Sequence, residues 1–81
     1  MKKFEVGKIY VDFEHKGLGY DECLYAHYYL IERKSDKSIW IKHAYRTLIY
    51  YSIIYMDKEE AINIDPAKLK FGDIKNKWKM W

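Results

Sequence analysis

The sequence predicts a mainly β fold: a single small antiparallel meander, rolled sheet or barrel of about five strands, with a short helix near the C-terminus. Three observations carry that expectation. Apolar and polar residues alternate with the strand period of two, clearest where Ile9, Val11 and Phe13 interleave with Lys8, Tyr10 and Asp12. Aromatic residues make up 19% of the chain and nine of them are Tyr, a side chain that fits a half-buried pleated surface. Short polar or glycine-bearing stretches separate the apolar runs at turn-like intervals. The 81 residues form one domain, 1–81, with no linker, repeat or low-complexity segment.

The elements are expected in this order. Gly7 leads into a first strand from Lys8 to Phe13. Residues 14 to 22 form a polar loop in which Gly17 and Gly19 supply freedom for positive φ. A second strand runs from about Cys23 to Arg33, the sequence Lys34-Ser35-Asp36-Lys37 turns, and Ile39-Trp40-Ile41-Lys42 starts the return strand. Leu48 to Met56 suits a helix or a strand by periodicity alone; its Ile and Tyr content favours a strand, because β-branched and aromatic side chains are stiff in a helix. Asp57 to Glu60 is read as a turn and Ala61 to Ile64 as a short strand, with a helical turn starting at Glu59-Glu60-Ala61 as the alternative. Asp65-Pro66 has the form of an N-cap followed by proline at the first helical position, opening a short helix through Leu69. From Ile74 to Trp81 lysines alternate with Trp and Met.

Composition narrows the function. Half the residues are hydrophobic (49%) and a third are charged (33%), so a packed core is expected and disorder is not. The net charge of +3 is too small by itself to imply a nucleic-acid partner. One cysteine excludes an internal disulfide. The start shows no signal-peptide pattern and the longest apolar run is too short for a membrane span, so a cytoplasmic location and no membrane partner are expected.

The residue types able to hold a metal crowd the first third. Asp12-x2-His15 is followed seven residues later by Cys23-x3-His27, and Asp12, His15, Cys23 and His27 are a candidate structural zinc site, since tetrahedral sites draw ligand pairs from such spacings. Small domains often need such a staple. Glu14, Asp21 and Glu22 are spare carboxylates nearby, and His43 could arrive from the return strand. The competing reading makes His27 an ordinary sheet-face residue and Cys23 a small buried apolar group. Geometry speaks for it: in a straight strand Cys23 and His27 share a face but lie about 13 Å apart.

No assembled reaction centre is visible. A Cys23–His nucleophile pair is conceivable, but Asp21 and Glu22 would raise the thiol pKa rather than lower it. Gly17-Leu18-Gly19 lacks the pattern of a phosphate-binding loop. The chain is therefore expected to be no enzyme and to act by holding a partner. The candidate contacts are Tyr50 and Tyr51, Trp78 and Trp81, and Lys75 and Lys77. The basic, Trp-bearing end, with Lys68, Lys70 and Phe71 before it, keeps single-stranded nucleic acid open as an alternative partner, because small barrels bind single strands with basic grooves and stacking rings.

The segments Phe4-Glu5-Val6-Gly7-Lys8-Ile9-Tyr10, Asp21-Glu22-Cys23, Tyr29-Leu30-Ile31-Glu32-Arg33 and Ile39-Trp40-Ile41 resemble short proteins carried by phages and mobile elements of low-GC Gram-positive bacteria. The likeness covers about half the chain. Among proteins of that kind are the type II anti-CRISPR proteins, compact non-enzymatic inhibitors of Cas9. The resemblance implies a host defence nuclease, Cas9 first, as partner. A mildly basic chain should then dock on a protein surface through aromatic anchors rather than imitate DNA.

Overall fold

The computed structural model describes residues 4–73 and 78–79. The protein is mainly β, a curled half-barrel sheet built on three long antiparallel strands. These are β1 (Ile9–Lys16), β2 (Cys23–Lys34) and β3 (Ser38–Tyr50). Three two-residue strands line the far edge of β3 in separate places: β4 (Ile53–Ile54), β5 (Gly72–Asp73) and β6 (Trp78–Lys79). One helix, α1 (Lys58–Ile62), and a 3-10 turn at Pro66–Lys68 cross one face. Among the described residues no helix is long and apolar enough to cross a membrane.

The β2–β3 hairpin forms where the sequence places it, closed by the Ser35 amide donating to the Ser38 carbonyl at 2.8 Å. Two register shifts, at Leu24/Tyr25 and Ile31/Arg33, bend it, and bulges of this kind curl a sheet. The strand bounds differ from expectation in two places. β1 runs through Glu14 and His15 to Lys16 instead of stopping at Phe13, because pairing with β2 continues to Lys16↔Cys23. Backbone pairing there does not depend on apolar side chains. The chain then turns at Gly17 and Gly19, both at positive φ (72° and 65°). A Cβ on Gly17 would lie 2.3 Å from the Asp21 carbonyl oxygen, so only glycine fits.

The second difference is larger. The strand expected over Leu48 to Met56 is cut by a two-residue turn at Tyr51-Ser52, both left-handed (φ 52° and 65°). Each costs about 1–2 kcal/mol for a non-glycine residue. The turn is held by the Tyr51 amide donating to the Glu22 carbonyl (2.8 Å), the Ser52 hydroxyl donating to the Glu22 carboxylate (3.3 Å) and the Tyr55 amide donating to the Leu48 carbonyl (2.7 Å). Ala61 to Ile64 is not a strand; the helical alternative holds, because the Asp57 carboxylate caps α1 by accepting from the Glu60 amide at 2.6 Å. Asp65 accepts from the Ala67 amide in the same way at the 3-10 turn.

The main core lies on one sheet face. Ala26, Tyr28, Ala44 and Leu48 meet Ala61 and Leu69 from the crossing segment, and Val11, Phe13, Met56 and Phe71 pack around them. The Tyr28 hydroxyl donates to the Ala61 carbonyl at 2.5 Å inside this core. A smaller core sits on the opposite face near the hairpin turn, where Ile31, Ile39 and Ile41 are covered by Phe4 and Tyr10. The rest of that second face is uncovered by any described element.

Candidate functional site: an open tyrosine–histidine face

Strand alternation puts Tyr25, His27 and Tyr29 of β2 on the face opposite Ala26 and Tyr28. The register sets His43 across from Tyr29 and Tyr45 across from His27. On the other side Asp12 faces His27 and Glu14 faces Tyr25. The result is a grid of five rings. His27 and His43 lie 5.1 Å apart with planes 16° from parallel, Tyr29 and His43 5.2 Å apart at 26°, and Tyr25 meets Tyr45 edge-on at 6.1 Å. Four of these rings, Tyr25, His27, His43 and Tyr45, floor a shallow groove of about 710 Å³, closed at one end by Tyr50 and Tyr55 and bordered by Lys16, Thr47 and Arg46.

A hydrogen-bonded chain runs through its centre. His27 Nε2 lies 3.1 Å from Glu14 Oε1, and His27 Nδ1 lies 2.8 Å from His43 Nε2. Both contacts are diagonal, two residues off the direct cross-strand partner, a separation that long side chains span. Burial first, and the neighbouring His27 second, hold His43 below the ordinary imidazole value. Tyr25, Tyr29 and Tyr50 are held in the neutral form. Burial raises Tyr29, with Asp12 and Glu14 adding to it, and a hydrogen bond with Cys23 raises Tyr25. The Tyr51 hydrogen bond pushes Tyr50 up to about 12. The face thus offers hydroxyls that both donate and accept, with Glu14 opposed to Lys16 at 3.7 Å.

The four residues expected to clamp zinc are not brought together. Residues three apart on a strand point to opposite faces, so the extension of β1 puts His15 on the face away from Asp12 and His27. His15 Nε2 lies 3.4 Å from Glu22 Oε1. Asp12 accepts from the Phe13 amide at 3.0 Å. Cys23 shares the open face with His27 but stands four residues further along β2, across from Tyr50. Among the described residues no three His, Cys, Asp or Glu side chains converge on a point where a metal would sit, so this set does not fit the ion.

Of the expected partner contacts, Tyr50 and Tyr51 are exposed, with ring centroids 3.9 Å apart at the β3–β4 turn. Trp78 pairs through its backbone with Ile39. Lys75, Lys77 and Trp81 lie outside the described residues. Tyr25, Tyr45 and Tyr55 are site residues that the sequence did not single out. Strand alternation alone places Tyr25 beside His27, whereas the register shift at Ile31/Arg33 hides Tyr45 from a count of rungs along the hairpin. Comparison with protein families, with characterised proteins and with solved structures finds no match to this chain, so the site is read from its own geometry.

Proposed function

We propose that this protein is a non-catalytic binding module that docks a partner protein on its open tyrosine–histidine face. The observation that carries the reading is the groove itself: half-buried Tyr25, His27 and His43 beside exposed Tyr45 and Tyr55 on one sheet face, with Glu14, Lys16 and Arg46 of mixed sign around them. Tyrosines of this kind anchor protein interfaces, because a large rigid ring is buried at low entropic cost while its hydroxyl stays satisfied. Mixed charge suits a protein surface better than a phosphate backbone. Turnover is not part of the reading.

The likeness to phage and mobile-element proteins makes a host defence nuclease the partner to test, Cas9 first. Capture of purified Cas9, with and without guide RNA, is the expected result, and Tyr45→Ala should weaken it about tenfold or more, the mark of an interface anchor. Failure to capture either form of Cas9 removes that partner.

One observation favours a second reading, single-stranded nucleic acid. A second groove of about 470 Å³ continues from the first through His43, Tyr45 and Arg46 and is lined further by Lys68 and Lys70, with no carboxylate among the described residues that line it. Cations beside stacking rings are what single strands require. Binding to an oligonucleotide that weakens steeply as salt is raised supports this reading; no binding at low salt discards it.

A further inference from the structure

The Glu14–His27–His43 chain has a property that neither histidine has alone. The two ring nitrogens that face each other are 2.8 Å apart, so the axis between them holds one hydrogen. With both rings neutral, Glu14 accepts from His27 Nε2–H, and His27 Nδ1 accepts from His43 Nε2–H. One added proton is absorbed without strain: either ring can carry the charge, and a single N–H still lies on the axis. A second proton places two N–H groups nose to nose, and the contact opens.

We propose that this chain makes the tyrosine face a proton-gated docking surface, assembled while the imidazole pair holds at most one added proton and disassembled by the second. The proposal rests on the docking reading of the same face. The groups around the pair are Asp12, Glu14 and Lys16 from β1, Tyr25 and Tyr29 from β2, Tyr45 from β3 with Arg46 at the groove border, and Lys68 and Lys70, which line the adjoining groove with His43. Glu14 is the group positioned to favour the first proton, since it touches His27 directly. Among the described residues no carboxylate hydrogen-bonds to His43, which is half-buried between Tyr29 and Tyr45, with ring centroids 5.2 and 6.2 Å away. When His43 swings from His27, the rings it is tiled with lose a neighbour on one side. The groove floor is then no longer a single surface.

The test is an NMR titration of the imidazole and tyrosine rings in the full chain. Two macroscopic steps separated by about one pH unit or more are expected, the separation that strong coupling of two sites produces. Tyr29 and Tyr45 ring signals should move with the second step. His27→Asn should merge the two steps into one. Glu14→Gln keeps both imidazoles and should lower the midpoint of the first step, so the test survives if the His27 variant does not fold. Independent titration at a common midpoint, or tyrosine signals that ignore the second step, overturns the gate. These readouts need no partner, so they stand apart from the docking reading. If Cas9 is captured at neutral pH, capture should fall at least tenfold across the second step. Capture unchanged there overturns the gate while leaving the docking surface in place.

Discussion

The two faces of β2 are made from alternating residues of one strand, yet they have opposite fates. Ala26 and Tyr28 are almost wholly buried, whereas Tyr25, His27 and Tyr29 are only half-covered and their neighbour Tyr45 is 60% exposed. Both faces carry tyrosine, so hydrophobicity alone does not choose between them. The choice is made by the crossing segment from Met56 to Phe71, whose Ala61 and Leu69 close on one side only. A small sheet needs one covered face to fold, and the other is then free for function.

That contrast can be tested from the largest effect down. Leu48→Ala, deep in the covered face, should cost about 2–5 kcal/mol, read as a lower denaturant midpoint with an unchanged slope. Tyr28→Phe removes one oxygen and strands the buried Ala61 carbonyl, so about 1–3 kcal/mol is expected, with the far-ultraviolet spectrum intact. Ser52→Gly, at the strained turn that leads into the crossing segment, relieves a left-handed residue but removes the Ser52–Glu22 hydrogen bond, so stability should change by less than about 1 kcal/mol. Tyr45→Ala, on the open face, should shift stability by less than about 0.5 kcal/mol. A loss there as large as that of Leu48→Ala would mean that the open face is a second core and the comparison collapses.

Acid sharpens the same contrast. The folded protein holds His43 below its ordinary value of 6.5, burial being the main cause. The unfolded chain therefore takes up that proton more readily. The contribution of His43 to stability is complete above pH 6.5 and is lost as pH falls from there through the folded-state value. Thermal melts of the wild type and of His43→Asn over that window should converge as the pH drops. A wild-type midpoint that rises on acidification contradicts the assignment.

Much of the architecture could be read from the residues, and what could not has physical causes. The long hairpin was legible because Ile, Trp and Tyr flank a short polar turn, and the Gly17–Gly19 loop because only glycine adopts those angles freely. The Asp57 and Asp65 caps carry their own signature. The Asp57-x-x-Glu60 spacing of a capping box should have outweighed the strand reading of Ala61 to Ile64. Tyr51-Ser52 gave no warning, since its turn is held by Glu22 from another part of the chain and not by Gly or Asn. The grouping of Asp12, His15, Cys23 and His27 rested on one assumption, that Glu14 to Glu22 loops back. Once β1 reaches Lys16, Asp12 and His15 must part. The same extension carries Glu14 to His27, the contact on which the open face is organised.

The long hairpin also sets the order in which the chain assembles. From Lys34↔Ile39 outward to Cys23↔Tyr50, each rung encloses roughly two residues more than the last, so every step adds little closure entropy. Such a ladder zips from its turn, and β1 and the helical segment condense on a platform already laid down. Substitutions around Ser35 to Lys37 should then change the rate of folding, while those in α1 should change chiefly the rate of unfolding.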